Sequence, residues 1–265
     1  MKWHCVGTCS GTEPQPGMHH VSLVLEYGGH LFWFDAGETC SHTAHVRGLE
    51  LLATRAVFIS HAHMDHVGGL ANLFWTLRKL AGMKGKERDP LAGERVDLFI
   101  PVFETWEGVR RILANTEGNF DTSFEICPAG VQEGVIFDKH GVRVTALKSW
   151  HLGEPPPGVP WPAFSFAVEA GGKKAVYSGD VRSVEDIAPI IDGSDVLFME
   201  TGHHRVEDIC GFLSAGDADV GGLCFIHHGR AILEAPDAEL AKARAILGER
   251  IAVRIACDGD IVELK

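Results

Sequence analysis

The sequence has no apolar run of the roughly 18 to 20 residues that a membrane-spanning helix needs. Its first residues also have no apolar stretch of the kind found in signal peptides, which favours a cytoplasmic protein. Positive charge is scarce, because 24 Lys and Arg stand against 36 Asp and Glu and give a formal net charge of −12. A surface of that sign repels polyphosphates and anionic lipids, so a protein that coats nucleic acid or membranes is not predicted.

The chain is not organised around disulfides. Its seven cysteines are odd in number and scattered, at positions 5, 9, 40, 127, 210, 224 and 257. Cys5 and Cys9 are four residues apart but have no matching second pair, so the spacing does not favour a structural zinc site. Apolar residues make up 45% of the chain, which is enough for a substantial core and excludes a disordered protein.

Short strand-like segments and helical segments follow one another along the whole chain. Residues 21–26 and 30–35 alternate in polarity on either side of two glycines, which predicts a hairpin, and residues 68–80 carry apolar side chains at helical spacing. Further segments of either kind lie at 56–60, 96–102, 104–114, 142–147, 164–168, 174–177, 195–199, 206–213, 223–226 and 238–247. This mixture indicates an α/β fold with helices covering the sheets, and we expect a single domain over residues 1–265.

Histidine is abundant, with 15 in the chain, and four metal-binding groups occur within six residues. His61, His63, Asp65 and His66 follow the apolar segment 56–60. In an extended backbone, side chains two residues apart point the same way, so His61 and His63 share one side. Imidazoles and carboxylates suit zinc, manganese or iron(II). Because a single tetrahedral ion rarely uses four donors from so short a segment, the pattern predicts two metal ions.

Three further candidate ligands follow strand-like segments elsewhere in the chain. They are His151, Asp180 and His227. In α/β proteins, sites form at the sheet edge where strands end. We therefore expect these residues to complete the metal site, although each of them taken alone is more often a surface or capping residue.

Motifs spread in a fixed order over nearly the whole chain carry a family resemblance. They lie at residues 7–11, 34–38, 59–70, 151, 177–180, 198–204 and 225–227, and the histidine block within 59–70 is the most specific. In these motifs the sequence resembles the metallo-β-lactamase superfamily of hydrolases and, within it, the ribonuclease Z-like branch. The resemblance implies an αββα sandwich of the metallo-β-lactamase type, with two divalent metal ions at one edge between the sheets.

The resemblance also implies a role for each candidate residue. One ion would be held by His61, His63 and His151. The other would be held by Asp65, His66 and His227, and the carboxylate of Asp180 would bridge the two ions. We choose His227 over His228 because it is the first residue past its strand. A histidine shortly after the position of Glu200 serves as proton donor in the ribonuclease Z branch. His204 matches, with its neighbour His203 as the alternative, and Glu200 would fix the tautomer of the donor.

The chain departs from the branch where transfer RNA would bind. Ribonuclease Z enzymes carry a Gly/Pro-rich arm and a loop with proline and lysine, whereas residues 82–95 form only a short loop of mixed charge. We therefore expect a small anionic substrate rather than transfer RNA, no membrane partner, and leave a homodimer open. Trp150, Trp161 and Phe164, close to His151, could wall an apolar substrate pocket or simply fill the core.

The activity that this chemistry favours is hydrolysis of a phosphodiester by a metal-bridged hydroxide, which Asp65 would orient. The expected cofactors are two divalent ions, with zinc ahead of manganese or iron. Hydrolysis of a carboxylic ester, thioester or lactone on the same two ions is the second alternative. A mononuclear iron redox enzyme and a metal-binding domain without turnover also remain open.

Overall fold

The computed structural model describes residues 1–84 and 89–265, and its framework is a pair of facing β-sheets. The strands of the first sheet are Lys2–Gly7 (β1), Ser22–Tyr27 (β2), His30–Phe34 (β3), Thr54–Phe58 (β4), Arg95–Phe99 (β5), Glu125–Ala129 (β6) and Ile261–Glu263 (β14). Their order is β14-β1-β2-β3-β4-β5-β6. The pairs from β3 to β6 are parallel and the others antiparallel.

The second sheet has the same division into an antiparallel and a parallel half. Its strands are Gly134–Lys139 (β7), Val142–Lys148 (β8), Phe164–Ala170 (β9), Lys173–Tyr177 (β10), Val196–Glu200 (β11), Gly222–Ile226 (β12) and Ala252–Ile255 (β13). They run in the order β13-β12-β11-β10-β9-β8-β7, with parallel pairs from β10 to β13. Strands β8, β10, β11 and β12 therefore end at the same edge of the sheet.

Helices cover the outer face of each sheet. Those on the first sheet are Cys40–Val46 (α1), Met64–Val67 (α2), Leu70–Lys84 (α3) and Phe103–Ala114 (α4). Those on the second are Ala188–Ile191 (α5), Val206–Ala215 (α6), Arg230–Glu234 (α7) and Pro236–Leu247 (α8). Short 3₁₀ turns lie at Leu51–Ala53, Glu117–Phe120 and Val184–Ile187. No helix in the described part of the chain is long and apolar enough to cross a membrane.

Aromatic rings fill the space between the two sheets. Phe34 stacks on Phe58 with ring centroids 5.0 Å apart, and Phe166 of the opposite sheet lies 5.9 Å from Phe34. Burying each such ring contributes about 1.5–3 kcal/mol to stability. In β2, Leu23 and Leu25 face this layer, whereas Val24 faces the helices, so both faces of the strand are buried. This explains why the central strands are apolar on both sides.

The expected αββα sandwich is confirmed, and so is the hairpin of residues 21–35. Strands β2 and β3 pair antiparallel around Gly28 and Gly29, whose φ values of 58° and 78° suit a tight hairpin turn. The helix expected at 68–80 begins at Leu70, because the short helix α2 precedes it. Strands β1, β6, β7, β13 and β14 lie outside the predicted segments. The mixed-charge loop expected at 82–95 includes residues 85–88, which lie outside the described residues.

Candidate metal centre

Candidate ligands form three overlapping groups at the edge where β4, β8, β10 and β12 end. Two of them hold the expected metal ligands, with His61, His63, His151 and Asp180 in the first and Asp65, His66 and His227 in the second. The third group is Asp180, Glu200, His203 and His227. Within each group, every residue offers one ligand atom that lies within 4.8 Å of the others. The structure thus brings together all seven residues expected from the sequence to bind metal.

Asp180 belongs to the first group and also faces the second, with one oxygen directed toward each. Its Oδ2 is 3.6 Å from His61 Nε2 and 3.7 Å from His151 Nε2. Its Oδ1 is 3.3 Å from His66 Nε2 and 3.4 Å from His227 Nε2. A carboxylate in this position can serve both groups at once.

The segment between β4 and α3 directs its side chains into the cluster because it changes backbone conformation there. His63 is extended (φ −67°, ψ 148°) and precedes the first turn of α2, which holds Asp65 and His66. The chain then passes very close to residues 36–37, since a Cβ atom at Gly69 would lie 2.1 Å from the carbonyl oxygen of Gly37. Only glycine fits at position 69, and the turn that presents the ligands is fixed by this contact.

Several nitrogen and oxygen atoms of the cluster are buried without a hydrogen-bond partner. His61 Nε2, His151 Nε2 and Asp180 Oδ1 lie within the cluster and have no hydrogen-bond partner among the described residues. His227 Nδ1, which lies 3.6 Å from Glu200 Oε2, has none either. Leaving a buried polar group unpaired costs about 1–3 kcal/mol. Lone pairs of neutral imidazoles and a carboxylate that converge in this way suit a divalent cation. The residues present therefore fit metal ions.

The charges of the cluster shift its pKa values strongly. Burial alone would raise the pKa values of Asp65 and Asp180, yet His66 and His227 hold both well below the usual range. Against the effect of burial, Asp180 and Asp65 raise the pKa of His227 to about 9. Both carboxylates are therefore ionised at neutral pH, which is the form that binds a cation. Burial lowers the pKa of His61 and keeps that imidazole neutral.

A hydrogen-bond network behind the cluster orients two of the histidines. His66 Nδ1 lies 2.7 Å from Asp35 Oδ2, and His61 Nδ1 lies 3.0 Å from the hydroxyl of Ser60. Ser60 and Tyr177 both donate to the same Asp35 oxygen, at 2.7 and 2.5 Å. With their Nδ1 atoms occupied in this way, His61 and His66 turn Nε2 toward the other ligands. Burial, followed by the nearby charge of Asp35, raises the pKa of Tyr177, so its phenol remains a donor.

This network is the part of the site that the sequence did not reveal. Asp35 belongs to one of the family motifs, and Tyr177 precedes Asp180 in another, but no sequence pattern assigns a role to either of them. The available signal was the position of Asp35, a polar residue directly after an apolar strand.

Glu200 is fully buried at the end of β11 and binds His203. Its oxygens lie 3.1 Å from His203 Nδ1, and Oε2 accepts from the His203 backbone N–H at 2.9 Å. This hydrogen bond raises the pKa of His203, whose side chain is 43% exposed and lies 3.7 Å from Asp180. His204 instead directs Nε2 at the carbonyl of Val181, 3.0 Å away. His203 thus lies beside Asp180, whereas the Nε2 atom of His204, besides its contact with Val181, is 3.5 Å from Glu200 Oε1.

The choice between His227 and His228 follows from their ring contacts. His227 Nε2 is 3.1 Å from Asp65 Oδ2, within the cluster. His228 Nε2 lies 2.7 Å from the carbonyl of Ala256, away from the cluster. His227 has a positive φ of 49°, an uncommon conformation that directs the two neighbouring side chains to different surroundings.

Comparisons with known proteins agree with this geometry. A family model described as "Anti-Pycsar protein Apyc1" matches residues 1–203. The ribonuclease Z of Mycobacterium marinum is 24% identical over 270 residues, covering 94% of this chain and 92% of that protein.

Solved structures show the same fold. The short form of human tRNase Z has a TM-score of 0.72 at 16% identity, with each chain covered completely. YhfI from Bacillus subtilis, described as a metallo-β-lactamase fold protein, has a TM-score of 0.71 at 16% identity, with 98% of each chain covered. The resemblance to the metallo-β-lactamase superfamily and its ribonuclease Z-like branch is confirmed.

Proposed function

This chain belongs to the Apyc1 family of anti-Pycsar proteins and is a metal-dependent hydrolase of the metallo-β-lactamase superfamily, and we propose that it cleaves a small phosphodiester with two metal ions. One observation carries the proposal of two ions. The oxygens of Asp180 face two separate groups of donors, His61 with His151 and His66 with His227. A single ion would contact only one of these groups, and it would leave either the unpaired Nε2 atoms of His61 and His151 or the Asp180 Oδ1 atom that faces His66 and His227 without a cation.

The proposed cofactors are divalent, with zinc ahead of manganese or iron because imidazole and carboxylate ligands suit it. His61, His63 and His151 would hold one ion, Asp65, His66 and His227 the other, and Asp180 both. When bound, such ions lower the pKa of water and neutralise negative charge on a phosphate.

The remaining chemistry falls to side chains around the cluster. Asp65, whose carboxylate lies against His227, would orient the attacking water. His203 would donate a proton to the departing oxygen, because it is partly exposed and its hydrogen bond with Glu200 favours the protonated ring. Glu200 would hold this ring in place by occupying Nδ1. General acid catalysis of this kind typically contributes 10²–10⁴-fold to a rate.

The experiment that tests the proposal is a substrate panel run on the metal-loaded protein. Bis(p-nitrophenyl) phosphate is compared with a p-nitrophenyl carboxylic ester, a thioester and a lactone. We expect the highest kcat/KM for the phosphodiester. Ester or lactone hydrolysis without phosphodiester cleavage would reverse the order of the two hydrolase proposals, and bound metal without any turnover would favour a binding domain.

RNA is a further candidate substrate, since a relative that covers most of the chain is named ribonuclease Z. The net charge of −12 opposes the binding of a long polyanion. Adding a precursor transfer RNA to the same panel separates the two. Cleavage of that RNA with a higher kcat/KM than the small phosphodiester would overturn our preference.

A further inference from the structure

One side-chain hydrogen bond joins the two sheets directly behind the metal centre. Tyr177 is the last residue of β10 in the second sheet, and its hydroxyl donates to Asp35 Oδ2 at 2.5 Å. Asp35 directly follows β3 in the first sheet, 142 positions away in sequence. Both side chains are completely or almost completely buried, so water does not compete for the bond.

On the first sheet, Asp35 is connected to one histidine of each ligand group. Its Oδ2 accepts from His66 Nδ1 and from the Ser60 hydroxyl, both at 2.7 Å, and its Oδ1 accepts from the Ser60 N–H at 2.6 Å. The Ser60 hydroxyl in turn lies 3.0 Å from His61 Nδ1. A shift of the Asp35 carboxylate would therefore change the orientation of a histidine ring in both groups.

On the second sheet, Tyr177 is three residues before Asp180, and the turn between them is tightly packed. Gly179 has a φ of +55°, and a Cβ atom there would lie 2.9 Å from the Phe164 carbonyl and 3.0 Å from Ser60 Cβ. Because this turn is tightly packed, a displacement of Tyr177 would also displace Asp180.

We propose that Tyr177 is a positioning residue of the metal centre, holding through Asp35 the bridging Asp180 in register with His61 and His66. The inference rests on the proposed metal function. The hydroxyl carries this role, because the ring itself packs between the sheets beside Phe34, with ring centroids 6.5 Å apart. Phenylalanine would keep that packing and remove only the donor.

Metal affinity tests the inference independently of catalysis. The dissociation constant for zinc is measured by competition with a chromophoric chelator for the wild type, Tyr177→Phe, Asp35→Asn and the double variant. The chain has two tyrosines, and Tyr27→Phe is the matched control, since Tyr27 ends β2 at the opposite edge of the sheet. We expect Tyr177→Phe to bind zinc 10–100-fold more weakly, as is typical when a group behind a ligand is lost. Tyr27→Phe should bind zinc like the wild type.

A double-variant cycle separates positioning from general loosening of the core. If Tyr177 acts through Asp35, adding Tyr177→Phe to Asp35→Asn should cause no further loss of affinity. Equal zinc binding by Tyr177→Phe and the wild type, or fully additive losses in the double variant, would overturn the inference. If Tyr177→Phe does not fold, Asp35→Asn probes the same bond from the first sheet, and unchanged zinc affinity in Asp35→Asn would contradict the inference. A wild-type chain that binds no zinc would refute the proposed function instead.

Discussion

The Nε2 atoms of His66 and His227 lie 3.2 Å apart, although 161 positions separate the two residues. Both side chains are buried, and carboxylate oxygens of Asp65 and Asp180 lie 3.1–3.4 Å from His227 Nε2. Without a cation, the repulsion between these lone pairs is relieved only by protons shared between the imidazole rings and the carboxylates. A divalent cation satisfies the same atoms with the imidazoles neutral.

Removal of metal should therefore weaken both activity and stability. Ions that bind only the folded state stabilise it by RT ln(1 + [L]/Kd), about 2.7 kcal/mol at a free concentration of 100 Kd. We expect a chelator to abolish hydrolysis and lower Tm, and added zinc to restore both. The measurement is thermal unfolding with and without chelator, alongside turnover. An unchanged Tm and unchanged turnover after verified removal of metal would contradict the two-ion site.

Replacing Asp180 should remove metal and activity together. In Asp180→Ala both ligand groups lose their shared carboxylate, so we expect a large fall in metal content measured by elemental analysis and no detectable turnover. Asp195→Ala is the control, because Asp195 directly precedes β11 at the edge opposite the site and binds Lys173. Full metal content in Asp180→Ala would mean that this carboxylate bridges nothing.

The part of the site that sequence could predict is the part set by local geometry. His61 to His66 are close in sequence, and residues that follow parallel strands must meet at one edge, which is why His151, Asp180 and His227 could be grouped with them. The bond between Tyr177 and Asp35 has no such rule behind it. It depends on how the two sheets face each other, which no periodicity encodes.

The choice between His203 and His204 and the missed strand β7 show the same limit. Adjacent histidines after a strand differ only in the direction of their side chains, and here Glu200 Oε1 lies 3.1 Å from the ring of His203 and 3.5 Å from that of His204. Strand β7 is a half-exposed edge strand whose Val135 is 49% exposed, so its alternation of polar and apolar residues is weak.

His203 and His204 should separate clearly when each is replaced by alanine. Because His203 lies beside Asp180 and is held by Glu200, we expect His203→Ala to lower kcat by 10²–10⁴-fold with metal content retained. His204→Ala is the neighbouring control and should keep a kcat close to the wild type. Loss of metal in His203→Ala would show that His203 is a ligand, and a larger fall in His204→Ala would return the donor role to that residue.

The next pair of neighbours, His227 and His228, should differ in metal content. His227→Ala removes a ring that contacts Asp65, Asp180 and His66, so we expect loss of one ion or both. His228→Ala removes a buried ring bound to the Ala256 carbonyl and should lower Tm while metal content per folded chain stays at the wild-type value. Elemental analysis of both purified variants is the measurement. Equal metal loss in the two would show that the difference in their contacts does not decide coordination.

Gly11 offers a way to disturb the site without touching a ligand. A Cβ atom at this position would lie 2.9 Å from Asp65 Oδ2 and 3.0 Å from its Cγ, so Gly11→Ala should push the carboxylate away from His227. Since a displacement of about 1 Å at a reacting centre can cost on the order of 10²-fold in rate, we expect a marked fall in kcat with the chain still folded.

The matched control for this substitution is Gly108→Ala. A Cβ atom at Gly108, within α4, would meet no other heavy atom within 4 Å among residues 1–84 and 89–265. Alanine stabilises a helix interior by about 1 kcal/mol relative to glycine, so this variant should have full turnover and an equal or higher Tm. Zinc affinity is measured for both variants by chelator competition. If Gly11→Ala binds zinc and turns over substrate like Gly108→Ala, the loop that carries Gly11 does not hold Asp65 against the cluster.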